Sequence, residues 1–276
     1  MILHKVADWD NAYANGANIA GGDRWPAAWV EPATRYRETM SAAGRVQFDI
    51  AYGVGPRNRF DLFMPEGRPK GLVVFVHGGF WMRLDKSHWS MLAQGPVDSG
   101  WAVAMPSYTL CPETRIAGIT REVGAAVEAA AAMIAGPVRL TGHSAGGHLV
   151  TRMISATSPL PQAVRARIAH TVSISGLHDL RPMMSTAMNA TLKIDDAEAA
   201  AESPALLAPM PGARLTCWVG AAERAEFVRQ SALLASIWTG LGAATAAYEE
   251  PDRHHFDVVD GLRDAGHPLT KTLLES

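Results

Sequence analysis

The chain has 276 residues, of which 48% are hydrophobic, and its 25 Lys and Arg nearly balance 27 Asp and Glu for a formal net charge of −2. That balance, without any long Lys/Arg run, excludes a nucleic-acid footprint and a polybasic membrane patch, and the lack of an 18-residue apolar run excludes an expected membrane span. Two distant cysteines, Cys111 and Cys217, argue against a disulfide framework and suit a reducing compartment.

The length suits one domain with a sizeable core, so residues 1–276 are expected to form a single unit. The opening MILHKVADWDNAY has no basic start followed by an apolar run, so no signal peptide is expected and a cytoplasmic location is. Residues 1–43 form an N-terminal arm with Trp9, Tyr13, Trp25, Trp29 and Tyr36 but little regular period. Gly21-Gly22-Asp23 predicts a turn, and Glu31–Ala43 a helix. The arm either packs its aromatics on the domain or partly covers an active site.

From Arg45 the pattern changes. Val46, Phe48 and Ile50 alternate with other residues, and Phe60, Leu62 and Met64 do so again, which predicts two strands in an antiparallel start. Gly71–Val76 is continuously apolar, as a central strand covered on both faces requires, and ends in His77-Gly78-Gly79-Phe80-Trp81. The pattern then predicts a helix over Lys86–Gln94, a strand over Trp101–Pro106 and a helix over Ile116–Ala135, closed by Gly136-Pro137. A strand over Pro137–Thr141 feeds a helix over Gly147–Ser155. Strands follow at Ile168–Ile174 and Arg214–Val219, then a helix over Ala225–Leu241, a weaker strand at Thr245–Glu249, and short helical pieces. These alternating units define an α/β class with a mainly parallel sheet flanked by helices, without internal repeats. Residues 180–211 exceed what one crossover helix needs. With Pro182, Pro204, Pro209 and Pro211 and a helical piece near Asp195–Glu202, they predict a small cap at the ligand-binding edge.

Between one predicted strand and the next helix stands Gly142-His143-Ser144-Ala145-Gly146. With 25 Gly and 15 Ser, about 0.1 matches to Gly-x-Ser-x-Gly arise by chance in such a chain, so context decides its value. A serine hydroxyl needs exposure, positioning and a base. His255, in Asp252-Arg253-His254-His255-Phe256 after the last strand, is the candidate base, with Phe256 expected to anchor the loop and His254 as the rival. The carboxylate that orients the imidazole should follow the strand Arg214–Val219. Glu223 lies there and Asp179 is the alternative, while Glu226 is expected inside the next helix. Oxyanion donors are expected from the Ala145 amide and from Gly79 or Phe80 after the central strand. Trp81 and Met82 either pack the loop or wall a substrate pocket, where His143 is also placed. His143 and His148 lack a third partner, so no metal is expected, and no cofactor.

These motifs resemble those of the α/β-hydrolase superfamily in its His-Gly-Gly branch. The form His77-Gly78-Gly79-Phe80-Trp81 is similar to that of the kynurenine formamidase (arylformamidase) group and its bacterial esterase-like relatives. So are Gly142–Gly147, Ser175–Pro182, Glu226–Ser231 and His255-Phe256. The resemblance spans most of residues 45–262. It implies Ser144 as nucleophile, His255 as base, Glu223 at the acid position and a structural Asp179. Many relatives carry Asp at the acid position, where this chain has Glu. The implied activity is a serine hydrolase cleaving a small-molecule ester or amide, most like an arylformamidase releasing formate from N-formylkynurenine. The alternatives are a general short-acyl carboxylesterase and a non-catalytic binding protein on the same fold.

Overall fold

A computed structural model describes residues 5–275. Residues 1–4 of the expected arm, and Ser276, lie outside the described residues. Eight strands form one sheet: β1 (Val46–Ala51), β2 (Arg59–Phe63), β3 (Leu72–Val76), β4 (Ala102–Pro106), β5 (Val138–His143), β6 (Ile168–Ile174), β7 (Arg214–Gly220) and β8 (Ala244–Glu250). Their spatial order is β1-β2-β4-β3-β5-β6-β7-β8. β2 pairs antiparallel with β1 and β4, and every other pairing is parallel.

The helices are α1 (Trp9–Tyr13), α2 (Asn15–Asn18), α3 (Trp25–Ala42), α4 (Gln94–Asp98), α5 (Ile116–Met133), α6 (Ala145–Arg152), α7 (Gln162–Arg165), α8 (Asn189–Leu192), α9 (Asp196–Glu202), α10 (Ala225–Gly240) and α11 (Pro268–Leu274). Alternation along each inner strand divides the core in two. Leu72, Val74 and Val76 of β3 join one cluster with residues of α5, α6 and α10. Val73 and Phe75 join the other, with residues of α3 and α11. β3, β4 and β5 are buried throughout because helices cover both faces, which is why β3 and β4 read as unbroken apolar runs, whereas β5 also buries Arg139, Thr141 and His143.

Most boundaries move by one or two residues, and three elements differ in a way that has a physical reason. α3 begins at Trp25 rather than Glu31 and runs through Pro32. A proline inside a helix costs roughly 3 kcal/mol, and burial of Trp29, Ala33 and Met40 on this helix opposes that cost. Lys86–Ala93 is a 3-10 helix, capped by Asp85 Oδ1 accepting from the Ser87 amide at 2.8 Å, before α4 begins. α6 starts at Ala145, directly after the serine, although Gly146 and Gly147 are poor helix formers. Tertiary contact decides here: a Cβ on Gly146 would collide with the Val76 carbonyl oxygen of β3.

Candidate active site

β3, β5, β6, β7 and β8 run parallel, so the loops leaving their C-terminal ends share one sheet edge. Ser144 sits between β5 and α6 with φ +57° and ψ −117°. Such a backbone costs about 1–3 kcal/mol and lifts the side chain off the sheet. The Ser144 amide donates to the Ile174 carbonyl at 2.8 Å, tying the turn to β6.

β7 and β8 pair from Arg214↔Ala244 to Gly220↔Glu250, which brings the two following loops together. The Ala221 amide donates to the Glu250 carbonyl at 2.8 Å and the Ala222 amide to that of Arg253 at 2.9 Å. This lacing sets Glu223 under His255, where Oε2 lies 2.6 Å from Nδ1. The other carboxylate oxygen, Oε1, accepts from the Gly220 amide at 2.9 Å and from Ser175 Oγ at 2.5 Å. The longer Glu side chain therefore has a donor for each oxygen, and its side chain is wholly buried. The His255 ring lies between Phe227, at 4.3 Å between centroids, and His143, at 4.6 Å. His143 Nε2 donates to the His255 carbonyl at 2.8 Å. Burial holds the His143 pKa well below its ordinary value, so that ring stays neutral.

β3 lies beside β5, with Val76 opposite Gly142, so the loop after β3 reaches the serine turn. Gly78 has no room for a Cβ between the His143 carbonyl and Ser144 Cβ. Gly79, Phe80 and Trp81 all have positive φ, at +113°, +50° and +57°. The Gly79 carbonyl accepts from the amides of Met82 and Arg83, each at 3.0 Å. Because the peptide unit is planar and trans, the Phe80 N–H points the opposite way. The Gly78 carbonyl is held by His77 Nδ1 at 2.7 Å, which frees the Gly79 N–H in the same manner.

Ser144, His255, His143, Gly79 and Phe80 line one cavity of about 450 Å³. Its remaining walls are aromatic and come largely from the arm and the loops: Trp29, Trp89, Phe256 and Tyr13, with Met188 from the excursion after β6. Asp10, Asn15 and Asp23 of the arm also line it, as does Arg83 of the loop after β3. Thus α1, α2 and the start of α3 wall the cavity, while other arm aromatics such as Tyr36 pack on the sheet.

Two pocket expectations need correction. Neither Trp81 nor Met82 lines this cavity. Trp81 is fully buried, with its indole N–H donating to His148 Nδ1 at 3.3 Å, because the left-handed backbone at residues 79–81 turns it into the core. The rivals are held elsewhere. His254 packs edge-on against Trp25 at 5.1 Å and makes its contacts with Asp257. Asp179 holds Arg181 through two bonds, at 2.9 and 2.8 Å, and that guanidinium keeps its carboxyl below the usual range despite burial. Glu226, on α10, accepts from Tyr13 and Arg229. The bond from Ser175 to Glu223 was not legible in the sequence: Ser175 directly follows a strand, as many serines do, and its φ of +52° is not a local signal. His143 and His148 turn to different carbonyls, His255 and Glu202. Among the described residues, no three His, Cys, Asp or Glu side chains gather as a metal site, and no helix is long and apolar enough to cross a membrane.

A mostly parallel sheet with helices on both faces, and a serine on a strand-to-helix turn, define an α/β-hydrolase. Residues 60–209, over half of the chain, match the BD-FAE family, and the chain belongs to it. Kynurenine formamidase of Danio rerio is 28% identical over 249 residues, 86% of this chain and 84% of that protein. A crystal structure from Silicibacter sp., described provisionally as a thioesterase, is 47% identical with a TM-score of 0.91, covering 96% of this chain and 98% of its own. An esterase of Pyrobaculum calidifontis shares the fold at 15% identity and TM-score 0.69, over 91% of this chain and 89% of that one. The chain is an esterase-like hydrolase. The family match includes the Gly79 loop and Ser144 but ends before Glu223 and His255.

Proposed function

We propose that the protein is a serine hydrolase that cleaves a small carboxylic ester or arylformamide with Ser144, His255 and Glu223. The carrying observation is the 2.6 Å contact of His255 Nδ1 with the buried Glu223, in a cavity that also contains Ser144. Ser144 Oγ attacks the acyl carbon and His255 Nε2 takes its proton. Glu223 holds Nδ1–H and stabilises the imidazolium. The amides of Ala145 and of Gly79 or Phe80 receive the oxyanion. His255 then protonates the departing amine or alcohol, and water, activated by the same imidazole, releases the acid. The Ser144 hydroxyl and the imidazole need to meet only in the substrate complex, since such bonds tighten there.

The substrate best matched is an arylformamide such as N-formylkynurenine. Two features support it: the aromatic walls from Trp29, Phe80 and Phe256, and the 28% identity to a kynurenine formamidase over most of both chains. A fluorophosphonate probe should label the wild type and not Ser144→Ala. Absence of labelling in the wild type, together with no turnover of any ester, would leave a binding protein on this fold. Comparing N-formylkynurenine with p-nitrophenyl acetate separates formamidase from general esterase, and a large preference for the acetate would defeat the formamidase assignment.

A further inference from the structure

The two halves of the oxyanion site proposed above come from separate elements. Ala145 begins α6, and Gly79 and Phe80 belong to the loop after β3. An oxyanion site works only if its donors are already in place when charge develops, so something must hold the loop in register with the helix. The loop cannot do this alone: three consecutive residues have left-handed backbones, and two of them, Phe80 and Trp81, are bulky.

Trp81 is the loop's anchor. Its side chain is fully buried, and its carbonyl accepts from the Cys111 amide at 2.9 Å. Its indole N–H donates to Nδ1 of His148, whose ring it meets edge-on at 5.2 Å between centroids. His148 lies in the first turn of α6, its amide donating to the Ser144 carbonyl at 3.1 Å. Its other ring nitrogen, Nε2, donates to the Glu202 carbonyl at 2.7 Å, at the end of α9. One neutral tautomer, with the proton on Nε2, satisfies both bonds. Burial pushes the His148 pKa down to about 4, which keeps that tautomer uncharged near neutrality.

We propose that His148 is the positioning residue for the oxyanion loop, joining Trp81 to the helix that carries Ala145 and fixing both against α9. It touches no reacting atom. The inference rests on the assignment of the oxyanion donors to Ala145 and to Gly79 or Phe80.

Two substitutions divide its hydrogen bonds. In His148→Asn, Oδ1 stands where Nδ1 was and can still accept from Trp81, while the bond to Glu202 is lost. In His148→Gln, Nε2 can still reach the Glu202 carbonyl, but no acceptor faces Trp81. With p-nitrophenyl acetate, His148→Gln should lose roughly ten- to a hundredfold in kcat with KM within about twofold, because loss of one oxyanion donor outright costs about 10²–10³. His148→Asn should keep most of kcat. Affinity for a trifluoromethyl ketone, which forms a tetrahedral adduct, should fall in parallel with kcat. Trp81→Phe should reproduce the His148→Gln loss, and the double variant should be no worse than the poorer single one.

Equal kcat in folded His148→Gln and His148→Asn, or additive losses in the double variant, would overturn the inference. If His148→Gln does not fold, Trp81→Phe decides alone, and unchanged kcat there has the same consequence. A wild type that neither turns over esters nor takes the fluorophosphonate removes the hydrolase proposal and this inference with it. An active, labelled wild type with an indifferent His148→Gln removes only the inference.

Discussion

Ser175 Oγ donates to Glu223 Oε1 at 2.5 Å, on the carboxylate oxygen that does not face His255. With the Gly220 amide at 2.9 Å on the same oxygen, the carboxylate has a fixed orientation before any substrate arrives. The sequence offered Glu223 as an unusual choice where many similar proteins carry Asp. The extra methylene is accommodated because Ser175, just after β6, and Gly220, at the end of β7, supply donors for the oxygen it displaces.

That arrangement predicts a severe Glu223→Gln variant. The amide oxygen must remain on Gly220 and Ser175, so the NH2 group faces His255 Nδ1 and drives the proton to Nε2. In that tautomer His255 cannot accept from Ser144. The corresponding change in a serine protease costs about 10⁴-fold in kcat, and a loss of about 10³–10⁴ is expected here with little change in melting temperature. Asp179→Asn should instead retain activity within a few-fold, because its carboxylate is committed to Arg181. Steady-state kinetics of the two variants would reverse the assignment if the losses were exchanged.

Ser175→Ala should act through Glu223 rather than on substrate. It removes one of two donors to Oε1 and frees the carboxylate to rotate. Outer hydrogen bonds of this kind are worth about ten- to a hundredfold, so kcat should drop by about tenfold with KM nearly constant. A rise in KM alone would place Ser175 against the substrate instead.

Tyr13→Phe tests the arm. The Tyr13 hydroxyl donates to Glu226 Oε1 at 2.8 Å and accepts from Gln230 Nε2 at 3.1 Å, and its ring packs edge-on against Phe227. Phe227 in turn lies against His255. Losing the hydroxyl should cost about 1 kcal/mol of stability. Because α1 and α2 wall the cavity, the looser arm should raise KM several-fold while kcat stays within about twofold. An unchanged KM with a lower melting temperature would make the contact purely structural.

Acid should destabilise the fold well above the range in which carboxylates protonate. His77 and His148 are pushed down to about 4 and His178 to about 3 by burial, and His143 lies well below its ordinary value. The unfolded chain binds protons on these residues near pH 6.5, whereas the folded chain does not, so stability rises with pH in between. The histidine contribution is therefore complete above about pH 6.5 and is lost as pH falls toward about 4. Urea midpoints measured between about pH 7.5 and pH 5 should decline steeply. A flat profile over that interval would mean that the four rings reach water in the folded protein.

Much of the architecture was legible because it depends on local pattern. Leu72–Val76 reads as a doubly covered strand from five consecutive apolar residues, and Gly136-Pro137 marks the end of α5. The pocket was harder. Trp81 follows Phe80 directly, yet Phe80 faces the cavity and Trp81 the core, a division made by backbone angles that bulky residues seldom adopt. The start of the arm shows no clear period because α1 and α2 are only about one turn long, too short for a face to repeat.

By itself the sequence determined the order of strands and helices, the glycines that admit a sharp turn at Ser144, and the short set of residues from which a base and an acid could come. Apolar periodicity, turn chemistry and residue type all act over a few neighbouring positions. Only the tertiary structure decided that β7 and β8 pair so as to bring Glu223 to His255, that Ser175, just after β6, faces the carboxylate, and that residues between Asp10 and Trp29 supply a cavity wall. Those outcomes depend on pairing and burial between segments far apart in the chain. Their energies come from surfaces that exist only once the sheet has formed.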